Sequence, residues 1–394
     1  MARLLTYLIA ATASAVFQVA ATITDPGCQA TAPPQGLTNV PTANMTVPGS
    51  PFGLVYAQSD IAFAGMGHKV IMLNTSAFEP SLAREIALPA PLNQSQADVS
   101  GLALSHDKRH IYAAIGPGAV ILDVEKAIAG HANPVVGALV GKTGDGAIQV
   151  TLSADDKYAL VTQEYGTNAT LYKGTIEIFQ IHQSLNGSMT GINKGYTTLG
   201  FAVVGTAFSH DQSKLYATSE VTAKATSVNE TQGTLSVLDV ATLYTNPSEA
   251  LLHTVDAGCS PVRLEVSPDG KLVWVTARQS NKLLAFDTAK LDSHHPEGAL
   301  LASVQVGTSP VGLAIVNEGC HIITADSNRF NSANATTGLT VVDVEEALRG
   351  KQTFRKIPTG TFPREFAVSP DGKTLLVAQY RSNAIQALDI SKLL

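Results

Sequence analysis

The chain has 394 residues, 45% of them hydrophobic and only 15% charged, a balance that excludes a disordered polymer. With 26 basic against 32 acidic residues the net charge is −6, so there is no electrostatic footprint for nucleic acid or for an anionic membrane surface. Such a length ordinarily means two or three domains, unless a repeat carries one domain across the whole of it.

Residues 1–21 hold one early cation, Arg3, an apolar run from Leu4 and small residues at Ala13-Ser-Ala and Val19-Ala-Ala, the pattern of a secretory signal peptide. Thr12, Ser14 and Gln18 interrupt the run, leaving it short of the roughly 20 apolar residues a spanning helix needs. No later stretch replaces it, so we expect no membrane span and a mature protein that is secreted or held in the secretory lumen. Asn-x-Ser/Thr acceptors at Asn44, Asn74, Asn93, Asn168, Asn186, Asn229 and Asn334 suit a glycoprotein in that compartment. Residues 22–42 are expected to be a flexible segment. Cys28, Cys259 and Cys320 are odd in number, so disulfides are not the framework. Cys259 should precede a first strand on one face and Cys320 follow a turn on the other, too far apart to bridge; Cys28 could reach either.

From residue 43 onward one pattern recurs about every 50 residues: an apolar strand, a Ser-Pro-Asp-Gly-type turn, a second apolar strand, a polar loop, and a third strand ending in Asp. The clear copies turn at Ser267-Pro-Asp-Gly and Ser369-Pro-Asp-Gly. Degenerate ones turn at Gln58-Ser-Asp, Ser105-His-Asp-Lys, Ser153-Ala-Asp-Asp, Ser209-His-Asp-Gln and Asn317-Glu-Gly. The third strands fall at 70–73, 119–123, 175–179, 235–239, 283–287, 339–343 and 384–389, and a fourth, outer strand leads to the next repeat. A small antiparallel sheet cannot bury both apolar faces alone, whereas radial stacking buries each against a neighbour. The expected fold is therefore all-β, a single seven-bladed β-propeller over residues 43–394 with four antiparallel strands per blade. The seventh repeat stops after its third strand. Residues 43–51 match the fourth-strand segment 303–310, so an N-terminal outer strand near 43–47 should close the ring.

Ser267-Pro-Asp-Gly-Lys followed by Leu272-Val-Trp-Val-Thr, Ser280-Asn and an apolar strand ending in Asp287 resembles the YVTN β-propeller repeat, related in fold to metal-independent seven-bladed lactonases. The chain is also similar to secreted propellers of filamentous fungi, a few of which accompany secondary-metabolite pathways, trichothecene-type clusters among them. The resemblance implies the fold; its repeated residues belong to turns and strands and carry no chemistry.

The chain lacks Gly-x-Ser-x-Gly, His-Glu-x-x-His, a Gly-rich phosphate loop and Cys-x-x-Cys, so neither cofactor nor metal is expected. His106 and His210 take the Pro position of the turn, and His294-His295 a polar loop, where solvated histidines are the simpler reading than metal ligands. The repeat register itself points to a site. Residues ending the second strands converge on one mouth and read Met66, Ile115, Glu164, Glu220, Arg278, Asp326 and Tyr380; the entrances to the first strands read Gly53, Gly101, Gln149, Gly205, Arg263, Gly312 and Glu365, with Arg364 alongside. The four glycines are expected to leave room. Neighbouring loops add Tyr165, Asn328, Arg329 and Arg381, and residues 167–173 and 222–232 suit a partial lid. Three uses of this mouth stay open: rim ion pairs of purely structural value, binding of a small polar or carboxylated molecule by a monomer, or catalysis. A cofactor-independent lactonase, isomerase or cyclase would use Glu164 or Glu220 as acid or base and Arg263 or Arg278 against an oxyanion.

Overall fold

The computed structural model describes residues 32–33, 35–89, 98–222, 232–293 and 295–393. The signal-like stretch, Cys28, the acceptors Asn93 and Asn229, His294 and most of the 222–232 loop lie outside the described residues.

Strands lie side by side in chain order, four to a sheet, as in Pro51–Gln58, Ile61–Met66, Lys69–Asn74 and Ser81–Ala87. Four further sheets have four strands, and one has eight. The large sheet forms where the outer strands Val135–Val140 and Met189–Thr198 meet in parallel, pairing Gly137 with Met189 and Ala138 with Thr190. First strands touch one another around a closed cycle, Pro51–Gln58 contacting both Leu102–Leu104 and Pro363–Val368. The sheets thus surround an axis, and the molecule is a β-propeller. Its core lies between neighbouring sheets: Leu54, Ala62 and Ile71 pack with Leu376, Ile385 and Ala387, and Trp274, 1% exposed, packs with Ile322 and Val342 of the next sheet.

The repeated residues explain themselves locally. In the turn, Ser267 Oγ donates to Asp269 Oδ1 at 2.6 Å and accepts from Leu272 N at 3.0 Å, while Lys271 N donates to Asp269 at 3.1 Å. The Ser-to-Asp bond recurs at Ser105, Ser153, Ser209 and Ser369. The fourth turn residue is left-handed, and Gly270 and Gly372 suit it, whereas Lys108, Asp156 and Gln212 adopt it at a steric cost. Asp156 and Gln212 are compensated, because Asp156 accepts from His106 N and Asp107 N and Gln212 from Ala154 N of the preceding turn. His106 Nδ1 lies 2.9 Å from Asp156, so this histidine joins two turns. The Asp that ends a third strand is a helix N-cap: Asp123, Asp239, Asp287 and Asp343 each accept from the backbone N–H three residues on.

Thr42–Thr46 pairs antiparallel with Ala384–Asp389, Asn44 facing Gln386, so the outer strand of the last sheet comes from the other end of the chain. Residues 35–41 depart from the flexible segment expected there. Gly36 O accepts from Lys356 N and Thr38 N donates to Lys356 O, both at 2.9 Å, and Val40 is buried beside Leu388 and Ile390. The outer strand Arg355–Ile357 is only three residues long, and this strap covers its open edge. Cys259 is disulfide-bonded while Cys320 is free and exposed, so the two do not bridge one another.

Candidate functional site at the channel mouth

Each first strand enters through a kink. Ala202, Ser260, Ser309 and Phe362 are left-handed, and the strand register then slips, as between Pro261 and Leu264 and between Pro363 and Phe366. Threonines of the second strands satisfy the backbone groups that the bulge frees. Thr276 Oγ1 accepts from Arg263 N at 3.1 Å and donates to Val311 O of the next sheet at 2.9 Å; Thr162 and Thr218 do the same with Gln149 N and Val204 O, and with Gly205 N and Val262 O. These hydroxyls fix the spacing of the first strands and so the width of the mouth.

Around that mouth the structure brings together Glu164, Glu220, Arg263, Arg278, Arg329, Arg364 and Glu365, which with Ile148, Val204, Val262 and Val311 line a cavity of about 20 Å³. Arg278 Nη2 lies 2.6 Å from Glu220 Oε2, both side chains being at most 10% exposed. Arg263 donates through Nε to Glu365 Oε1 at 2.9 Å, with Nη2 2.7 Å from the same oxygen. Burial raises the Glu220 pKa against the lowering pull of Arg278, and the Glu164 charge adds to the rise. Arg278 Nε is buried with no hydrogen-bond partner. Burial first, then the charges of Glu164 and Glu220 and a hydrogen bond to Glu164, push the Tyr165 phenol up to about 12.

Arg364 has a different setting. Its guanidinium lies 3.5 Å from the Phe52 ring centroid, with Phe362 at 5.4 Å and Tyr380 at 5.5 Å. Desolvation brings it down to about 9, opposed by Glu365 and aided by the like charges of Arg263 and Arg329. Arg381 bridges loops, Nη1 donating to Asn331 Oδ1 at 2.6 Å and Nη2 to Arg329 O at 2.9 Å. Phe330, 55% exposed, lies over Arg278 with its centroid 5.5 Å from the guanidinium carbon.

Four expectations need correction. Asp326 does not reach the mouth: Pro310 faces Asp326 where Pro261 faces Ala277 and Pro363 faces Gln379, so Asp326 stands one residue early and Ser327 is the counterpart of Arg278 and Tyr380. A one-residue step sends a strand side chain to the opposite face. Asp326 is fully buried between Thr324 Oγ1 at 2.9 Å and Thr340 Oγ1 at 2.6 Å, and burial raises it to about 7. The glycines do not leave open room either. A Cβ on Gly53 would stand 2.5 Å from Ser100 O, and one on Gly312 would stand 2.1 Å from Arg364 O, so the next first strand already fills that space. Gln149 is spent on structure, Nε2 donating to Thr206 O at 3.2 Å and Oε1 accepting from Thr206 N at 3.1 Å. Asn328 likewise pins its own loop, accepting from Ser332 N at 2.9 Å.

Below the apolar residues of the mouth lies a channel cavity of about 280 Å³, lined among others by Gln149, Thr206, Arg263, Glu265 and Glu365. Glu265 accepts from Ile315 N at 3.0 Å, and burial raises it to about 7. A larger crevice of about 640 Å³ sits at the strap and shares no lining residue with the mouth; there Lys351 pairs with Glu346 at 2.8 Å. The mouth is the more concentrated chemistry.

Fold and mouth together define a β-propeller with an ionic site on its axis. No family model matches the chain, and neither does any curated protein sequence. Among solved structures it is similar to a chain of the mitotic checkpoint complex, at 14% identity and a TM-score of 0.66 over 99% of both chains. It is also similar to Kuenenia stuttgartiensis hydrazine synthase, at 14% identity and 0.63 over 90% of this chain and 97% of that one. A third likeness is to the Myceliophteria thermophila Cps50 (Swd1) β-propeller domain, at 10% identity and 0.61 over 89% and 100%. At these identities the likeness is one of fold. No helix among the described residues is long and apolar enough to cross a membrane.

Proposed function

We propose that this chain is a secreted, monomeric glycoprotein of the fungal YVTN-repeat type, a propeller of seven blades when the eight-stranded sheet is counted as two, and that its mouth binds a small polar or carboxylated molecule. The observation that carries the reading is the convergence of Glu164, Glu220, Arg263, Arg278, Arg329, Arg364 and Glu365 on one concave spot. Asn44, Asn74, Asn168, Asn186 and Asn334 are all exposed, which suits the glycoprotein part. Native mass spectrometry of protein taken from its own culture is the test. A small guest should accompany the wild type and be lost from Arg278→Met and Glu220→Gln under conditions where both variants remain folded by circular dichroism, their melting temperatures being lowered by the broken buried pair; a wild type without any guest overturns the reading.

One observation favours a second reading, a cofactor-independent lactonase, isomerase or cyclase serving a secondary-metabolite pathway of the trichothecene type. Glu220 is buried and held up while neighbouring Glu164 is half-exposed, so the two carboxyls are suited to opposite proton roles. In that reading Glu220 donates a proton, Glu164 receives one, and Arg278 steadies the developing anion. Glu220→Gln would then abolish turnover outright, whereas a binding site would lose affinity by degrees.

A further inference from the structure

We propose that Arg329 and Arg364 form a seat for one carboxylate, and that the ligand of the mouth is a monoanion with a flat apolar body. This deepens the binding reading above and rests on it. The four arginines of the mouth face three glutamates. Two pairs are made, Arg278 with Glu220 and Arg263 with Glu365. Arg329 and Arg364 make no ion pair among the described residues, and Glu164 is engaged by the Tyr165 hydroxyl. Arg329 and Arg364 weaken one another, and the carboxylates whose charge they feel, Glu220 and Glu365, are each already bonded to another arginine, so the two guanidiniums form a site awaiting its own counter-charge.

The position of Arg364 sharpens the point. By register it takes the place that Phe52, Ile148, Val204, Val262 and Val311 hold at the other first strands, where apolar side chains close the channel. A guanidinium there loses water, and the anion nearest in sequence, Glu365, is already paired with Arg263 and only partly offsets that loss. With its guanidinium carbon over the Phe52 ring at 3.5 Å and no hydrogen bond from the group among the described residues, Arg364 retains N–H donors able to fork onto a planar carboxylate. The unpartnered Nε of Arg278, buried at the same cavity, is a further donor.

The surroundings select the rest of the ligand. Phe330 and Tyr165, each 55% exposed, flank the Glu220–Arg278 pair and offer aromatic faces to a flat body. Glu164, Glu220 and Glu365 surround the seat, so a phosphate dianion or a polyanion would meet repulsion that a single carboxylate avoids.

The test is calorimetric titration of the whole glycosylated protein with sodium benzoate, with benzamide as the uncharged isostere and sodium phosphate as the dianion, all at one ionic strength. Benzoate should bind saturably and about tenfold or more tightly than benzamide, with phosphate weaker still. Arg329→Met, in a loop, should fold normally and reduce benzoate affinity about tenfold while leaving benzamide unchanged; Arg364→Met should do the same if it folds. Benzoate binding no better than benzamide, or undiminished in Arg329→Met, overturns the seat. If in that case Arg278→Met still weakens both compounds, the mouth remains a binding site and only the carboxylate assignment falls. If neither compound binds and native mass spectrometry finds no guest, both readings fall.

Discussion

Two acids, Asp326 fully buried and Glu265 half-buried in the channel wall, place a pH dependence on the molecule. Asp326 and Glu265 both ionise near pH 7 in the fold, against about 3.8 and 4.5 when free of it. Between those limits the folded chain holds protons that the unfolded chain has released. Stability from these groups is therefore intact at the acid end of the window and falls as the pH rises through 7. Asp326→Asn keeps the shape and removes the titration. The stability difference between Asp326→Asn and wild type should move in favour of the variant by on the order of 2 kcal/mol from pH 5 to pH 8, measured by urea unfolding. A difference that is flat with pH would mean that Asp326 stays ionised, with Thr324 and Thr340 donating to it throughout. Asp326 also marks the limit of reading residues by register alone. Its place one step before the mouth follows from its pairing with Pro310, the position that Ala277 and Gln379 hold in other sheets, and the degenerate Asn317-Glu-Gly turn gives the sequence no fixed point from which to count that step.

At the scale of the element, the sheets were legible because their punctuation is chemical. Ser267 and Asp269 cross-link a turn, Asp287 caps a helix, and both recur wherever the same job recurs. The threonines were not legible. Thr162, Thr218 and Thr276 look like ordinary β-branched strand residues, and only the neighbouring sheet shows that each hydroxyl ties two first strands together. Thr218→Val and Thr276→Val preserve volume and remove both bonds. Each should cost roughly 1–3 kcal/mol, since freed buried backbone groups find no water, and the loss should appear as a lower urea midpoint with unchanged slope. A comparable change at an exposed threonine such as Thr42 should be nearly neutral. The aromatic surroundings of Arg364 were equally hidden, because Phe52, Phe362 and Tyr380 come from the two ends of the repeat series.

For the whole molecule, the first and last sheets share one hydrophobic cluster, and Thr42–Thr46 completes the last of them. Removing residues 35–46 should bare the edge of Ala384–Asp389 and the side chains of Leu388 and Ile390, which are buried under Val40. Size-exclusion chromatography should then show larger species than the full chain gives under the same conditions; an unchanged elution volume with unchanged stability would show that the closure is dispensable. The matching of residues 43–51 to 303–310 made the closing strand readable, whereas the strap before it has no repeat counterpart and no periodicity by which to find it.

That closure also sets a timetable. Thr42–Thr46 leaves the ribosome ahead of every other strand of the ring, yet its partner Ala384–Asp389 is made last. Until Ala384–Asp389 emerges the growing propeller carries two raw edges, one at each end of an open horseshoe, and each fits the other end of a second nascent copy as well as its own. On crowded polysomes self-closure then competes with exchange of this one short strand between copies, and slow translation just ahead of Ala384–Asp389 would tilt the contest toward exchange.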